Sequence, residues 1–122
     1  MKLHVTQTPG DNVFTAYGDG YVAVNHQRFE HPVVVSPAHA VEPWQPASFD
    51  ALTPADFEAI LQFKPEIVIL GTGDRLRFPK PDLTRAFAAG AVGLEVMDTK
   101  AACRTYNILA AEGRQVVAAV LI

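Results

Sequence analysis

Two aspartates, Asp74 and Asp98, each follow an apolar run that reads as a strand. The first run is Ile67 to Leu70, which passes straight into Gly71-Thr72-Gly73 and then Asp74, Arg75 and Arg77. The second is Val92 to Met97, which passes into Asp98-Thr99. If these runs are neighbouring parallel strands, Asp74, Met97, Asp98 and Thr99 meet at the sheet edge where open α/β folds place ligands. Two carboxylates at one edge have the capacity for acid–base work. No nucleophile–base pair stands beside them, so no residue is assigned a catalytic role. Arg104 and Asn107 lie on the helix that follows Asp98, on a stripe shared with Lys100. The candidate binding set is therefore Gly71, Thr72, Gly73, Asp74, Met97, Asp98, Thr99, Arg104 and Asn107. Thr72 and Asp74 are expected just beyond the strand end, where substitution would leave folding intact.

Other chemistry is weaker. Gly71-Thr72-Gly73 invites a nucleotide-binding reading, but a dinucleotide fingerprint needs a third glycine at the position of Leu76, and the Gly-Lys-Ser/Thr of a P-loop is absent. The following helix starts only after Pro79, so no helix N-terminus is expected at the glycines. Glycines here serve more simply to turn the chain. Cys103 lies mid-helix among alanines and reads as a small core residue. The four histidines, His4, His26, His31 and His39, are scattered over the first third of the chain without metal-ligand spacing, so no metal is expected. No cofactor is implied.

The elements that must hold these residues follow from periodicity and punctuation. A short edge strand is expected at Leu3 to Thr6. Val13 to Tyr17, Tyr21 to Val24, Gln27 to Glu30 and Pro32 to Ser36 read as an antiparallel β unit, with turns at Gly18-Asp19-Gly20 and Asn25-His26. Residues 37–52 read as loop, because Pro37, Pro43 and Pro46 interrupt a ladder. Trp44, within that loop, is expected to cover the sheet edge or plug the core. Thr53 and Pro54 open a helix stopped by Pro65. Its apolar face is Phe57, Ile60 and Leu61. A second helix is expected over Pro81 to Ala89. A third is capped by Asp98 or Thr99 and runs to about Glu112. Val116 to Ile122 closes the chain as an apolar strand. Strand–helix–strand–helix–strand in the second half implies parallel pairing with helices packed on the sheet. The expected fold is α/β: one layered domain over residues 1–122, with a central mixed β-sheet, helices packed on it and an N-terminal antiparallel β unit.

The totals agree. The chain has 122 residues, 49% hydrophobic and 19% charged, with a net charge of −3. That suits one globular domain. Ten Lys and Arg, spread thinly, do not make a nucleic-acid-binding stripe. No apolar run is long enough for a membrane span. The opening MKLHVTQTPG lacks the apolar segment of a signal peptide. A single cysteine precludes an internal disulfide and suits a reducing compartment, so a cytoplasmic location is expected.

Two strings carry a family resemblance: PEIVILGTGD from Pro65 and GLEVMDTKAACRTYNILAAEGRQVVAAVL from Gly93. With Tyr17-Gly18-Asp19-Gly20, the VVV run and Trp44, they resemble the family numbered 498 among domains of unknown function. The resemblance implies a compact α/β domain around a mixed sheet. It implies no catalytic residues, since the family has none established. Its mitochondrial member is an assembly factor, so the resemblance also implies a protein partner. Thr105-Tyr106-Asn107 belongs to the same pattern. Asn is a poor mid-helix residue unless its amide has a partner, so Asn107 and Arg114 are read either as ligand-facing or as parts of an internal polar network. The leading reading is a non-catalytic accessory or assembly factor. The alternative is a small-molecule binder or enzyme at the Asp74/Asp98 edge. A third is a homo-oligomer joined through that edge or an exposed strand.

Overall fold

The computed structural model describes residues 10–122. The strand expected at Leu3 to Thr6, and His4 with it, lie outside the described residues. Strands β1 (Phe14–Gly18), β2 (Tyr21–Val24) and β3 (Gln27–Phe29) form an antiparallel sheet in that order. The turn between β2 and β3 puts Asn25 and His26 at positive φ, as a tight hairpin turn requires.

A second sheet has five strands: β4 (Val33–Val35), β5 (Glu42–Pro43), β6 (Ile67–Thr72), β7 (Gly93–Met97) and β8 (Val116–Leu121), in the order β5-β4-β8-β6-β7. β6 runs parallel to both β7 and β8, while β4 is antiparallel to β8. The central mixed sheet and the N-terminal antiparallel unit are both present. The border between them differs from the sequence reading. β4, grouped there with the hairpins, belongs to the large sheet. Its three valines are all buried, the mark of a strand covered on both faces rather than of an alternating hairpin strand. The expected loop over residues 37–52 also contains β5, a two-residue edge strand on which Pro43 is tolerated, and a 3-10 turn at Phe49–Ala51.

The two sheet faces make two cores. Ile69, Val116, Ala118 and Val120 face one way, against β1, β2 and the long helix α3 (Thr99–Ala111) through Phe14, Val22, Ala102 and Tyr106. Val68, Leu70, Val117, Ala119 and Leu121 face the other way, against Trp44, Phe57, Ile60 and Phe87. The chain moves one way along the sheet from β6 to β7 and back again from β7 to β8. Crossovers of one hand then place the connecting helices on opposite faces, and α2 (Arg85–Ala89) and α3 do pack into opposite cores.

Two helices are tighter than the periodicity predicts. The segment after Thr53 is α-helical only as α1 (Pro54–Glu58) and continues as a 3-10 helix over Ala59–Phe63. The segment from Pro81 is 3-10 before α2 begins. Phe57 and Ile60, three apart, suit a 3-10 repeat as well as an α one. At the start of α1 the Asp56 carboxylate accepts from the Thr53 N–H (2.8 Å) and hydroxyl (3.0 Å). Trp44 does plug a core: it is buried edge-to-face on Phe57 and donates from Nε1 to the Asp56 carbonyl.

Candidate functional site

β6 and β7 are parallel neighbours, with Gly71 opposite Met97. Their C-terminal ends therefore bring Thr72-Gly73-Asp74 and Asp98-Thr99 together, as the spacing predicts. α3 begins here. Asp98 is its N-cap, accepting from the Ala101 N–H at 2.9 Å. Contrary to the sequence expectation, a helix N-terminus does reach the glycine loop, but it is that of α3, two elements later in the chain. The Gly73 N–H donates to Thr99 Oγ1 (2.9 Å), and the Thr99 N–H donates to the Gly73 carbonyl (2.9 Å).

That contact decides what the glycines do. A Cβ on Gly71 would lie 2.9 Å from Thr99 Oγ1, 2.9 Å from Val120 Cγ1 and 3.1 Å from the Thr99 backbone. Gly71 thus lets the helix sit against the strand, and the Gly73 N–H, which a phosphate would use, is already bonded to Thr99 Oγ1. Gly73 has a φ of +100°, which side-chain-bearing residues rarely adopt. Thr72 departs from expectation as well. It is the last residue of β6 and only 4% exposed. Its hydroxyl donates to the Arg75 carbonyl (2.7 Å), lies 3.2 Å from the Met97 carbonyl and accepts from the Arg77 N–H (3.2 Å). Thr99 is buried too, and its hydroxyl donates to the Leu121 carbonyl at 2.6 Å. Both threonines fasten the loop from inside, so Thr72 does not stand beyond the strand end as a free position. Met97 is half-buried against the α3-side core.

Asp74 is exposed. It shares with Asp98 a hollow of about 50 Å³, bordered also by Asp19, Lys100 and Ile122. Lys100 and Asp19 approach to 3.4 Å across it. A wider open depression of about 700 Å³ adjoins it, lined by Ser48, Phe49, Asp74, Arg75 and Arg77. Arg77 lies over the Phe49 ring and pairs with Asp50 at 2.7 Å. Arg104 and Asn107 do not join this edge. Arg104 stands behind it and donates to the Tyr17 hydroxyl at 2.8 Å. Asn107 points at β1, accepting from the Phe14 N–H (2.9 Å) and donating to the Phe14 carbonyl (2.8 Å). Of the two readings left open for Asn107, the internal network is the one realised. Arg114 pairs with Glu66 on the surface at 3.2 Å. That bond and the Gln115 N–H hold the Glu66 carboxyl below its usual range.

Cys103 is buried, and burial pushes its thiol up to about 12, against a smaller opposing pull from Arg104. Such a thiol is no nucleophile at neutral pH. Tyr106 is raised in the same way by burial and donates its hydroxyl to the Asn12 carbonyl. Among the described residues no His, Cys, Asp or Glu group of metal-holding size occurs, and no buried side-chain polar atom lacks a partner.

Two features escaped the sequence reading. The loop from Gly73 to Lys80 exposes Phe78 (71%) and Leu76 (49%). The signal was there: two large apolar residues alternate with Arg75 and Arg77 in a stretch lacking any element. The second is a cavity of about 410 Å³ at the other end of the sheet, lined by Asp11, Ser36, His39, Phe63, Lys64 and Arg114 among others. Those residues come from separate loops and from the end of the 3-10 helix over Ala59–Phe63, and no spacing rule unites them.

The family model described as "Protein of unknown function (DUF498/DUF598)" matches residues 14–121. The chain belongs to this family. Within reach of it is the bovine NADH dehydrogenase (ubiquinone) 1 alpha subcomplex assembly factor 3, 34% identical over 123 residues, covering 99% of this chain. The chain spans 66% of that relative's own length. A 13 kDa major membrane protein of Francisella tularensis is 27% identical and is matched over 95% of both chains. A crystal structure of a protein from Bordetella parapertussis superposes with a TM-score of 0.88 at 42% identity, over 92% of this chain and 96% of that one. Among the described residues no helix is long and apolar enough to cross a membrane.

Proposed function

We propose that the chain is a non-catalytic accessory factor that binds another protein through the loop from Gly73 to Lys80, and that it works in the cytoplasm. The observation that carries this reading is the exposure of Leu76 and Phe78, which alternate along the loop with Arg75 and Arg77. Large apolar side chains held in water on a loop are costly unless a partner covers them, and aromatic and arginine residues dominate interface energetics. The strand end, the Thr72 and Thr99 hydroxyls and the tie to α3 give that loop a rigid base. The kinship to a named assembly factor supports the same reading. The hollow shared by Asp74 and Asp98, at about 50 Å³, is far smaller than ligand sites of roughly 300–1,000 Å³, and the adjoining depression of about 700 Å³ is wide and open rather than enclosing.

The test is co-purification of the tagged chain from its own cells, beside a Leu76→Ser/Phe78→Ser variant. The native chain retains a stoichiometric partner; the variant, unchanged in urea midpoint, loses it. A partner held equally by both would overturn the assignment of the surface. A second reading, small-molecule binding, is favoured by the cavity near His39, whose size suits a ligand. It predicts thermal-shift hits that Lys64→Glu abolishes.

A further inference from the structure

β7 ends the five-stranded sheet and pairs only with β6 among the described residues. The Gly93 N–H donates inward to the Glu66 carbonyl, and the Met97 carbonyl faces Thr72. Backbone groups alternate along a strand. Gly93, Glu95 and Met97 therefore turn theirs toward β6, and Leu94 and Val96 turn N–H and C=O outward. The opposite edge of the sheet is guarded, since β5 is two residues long and includes Pro43. β7 has five residues, an unbroken register of pairing, no proline and no lysine. Of the usual edge defences it has one charge, Glu95, which is exposed.

That charge selects the occupant. A second copy pairing antiparallel through a two-fold axis at the middle of β7 would set Glu95 against its own symmetry mate, at about 4.5–5.5 Å. Like charges so placed are destabilising. A different chain with Lys or Arg at that position gains instead. Leu94 and Val96 are half-buried beside the core that holds Val68 and Leu70, so the positions flanking the cation must be apolar.

We propose that the outer edge of β7 accepts an extended segment of a partner protein, ordered apolar–basic–apolar, as a sixth strand. Strand addition of this kind takes affinity from main-chain hydrogen bonds and selectivity from alternate side chains. The proposal rests on the protein-binding reading above and adds to it the chemistry of the partner.

The probe is an end-capped peptide, Thr-Thr-Val-Lys-Val-Thr-Thr, titrated into the labelled full chain and followed by amide chemical shifts. A peptide with Glu in place of Lys is the control. Shifts centred on Leu94 and Val96 are expected, with the Lys peptide binding about fivefold tighter. Glu95→Lys should reverse that order. In parallel, sedimentation of Glu95→Thr should show stronger self-association than the native chain. Equal affinity for the two peptides, or no response at Leu94 and Val96 at millimolar peptide, would overturn the proposal. In that event a partner still lost from the Leu76/Phe78 variant leaves the protein-binding reading standing. A partner indifferent to the loop overturns the loop as the binding surface and leaves the edge proposal standing.

Discussion

Asn107 connects the long helix to the small sheet through both ends of one amide. Phe14, whose N–H and C=O it satisfies, is wholly buried. Replacing Asn107 with Leu leaves two backbone groups without partners, at a cost of about 2–4 kcal/mol. Urea denaturation measures it; a loss below about 0.5 kcal/mol would show that the clamp is idle. Cys103 supplies a pH test. In the folded chain its thiol holds the proton up to about pH 12, against an ordinary value of 9.0. The folded state therefore binds that proton more tightly. The stability this contributes is whole below pH 9 and is lost as pH rises from there toward 12. Tyr106 works in the same direction from a starting value of 10.0. Cys103→Ala should then lose less stability between pH 8 and pH 10.5 than the native chain, read from urea midpoints. An identical slope would contradict the burial argument. At this scale the sequence was legible where local rules act. The cap at Asp98 or Thr99, which the structure gives to Asp98, and the core placement of Cys103 needed only neighbours. Thr72 and Thr99 were not legible, because their hydroxyls are consumed by carbonyls of Arg75 and Leu121, one reached only through a turn and the other only through the sheet.

Among the elements, β6 is the one on which the fold turns. It is flanked by parallel strands on both sides, and Val68, Ile69 and Leu70 are fully buried. Ile69→Ala should cost about 2–5 kcal/mol as a buried truncation, measured by chemical denaturation; a cost under 1 kcal/mol would mean that the strand is not central. Continuous apolar runs such as β6 and β8 announce strands buried on both faces, and they were legible for that reason. The VVV run of β4 gives the same signal, but its nearness in sequence to the hairpins hides that it pairs with β8 in the large sheet. The short 3-10 segments were illegible, since an apolar spacing of three fits both helix types. β5 was hidden by its own proline.

Over the whole molecule, two cores on two sheet faces leave the sheet's ends and edges as the places for function. The end formed by the C-termini of β6 and β7 was legible from two apolar runs that stop in glycine or aspartate. The surface proposed to bind there was not, because polar residues such as Thr72 and Thr99, which suggest a site, are used internally by the fold. The apolar Leu76 and Phe78 stand in water instead. The most direct test is site-specific photocrosslinking in the native cells. A photoreactive phenylalanine replaces Phe78 in one sample and Ile108, an exposed apolar residue of α3, in another. The account predicts one discrete adduct of the same partner at position 78 and none at position 108. No adduct at 78, or equal adducts at both positions, would contradict it.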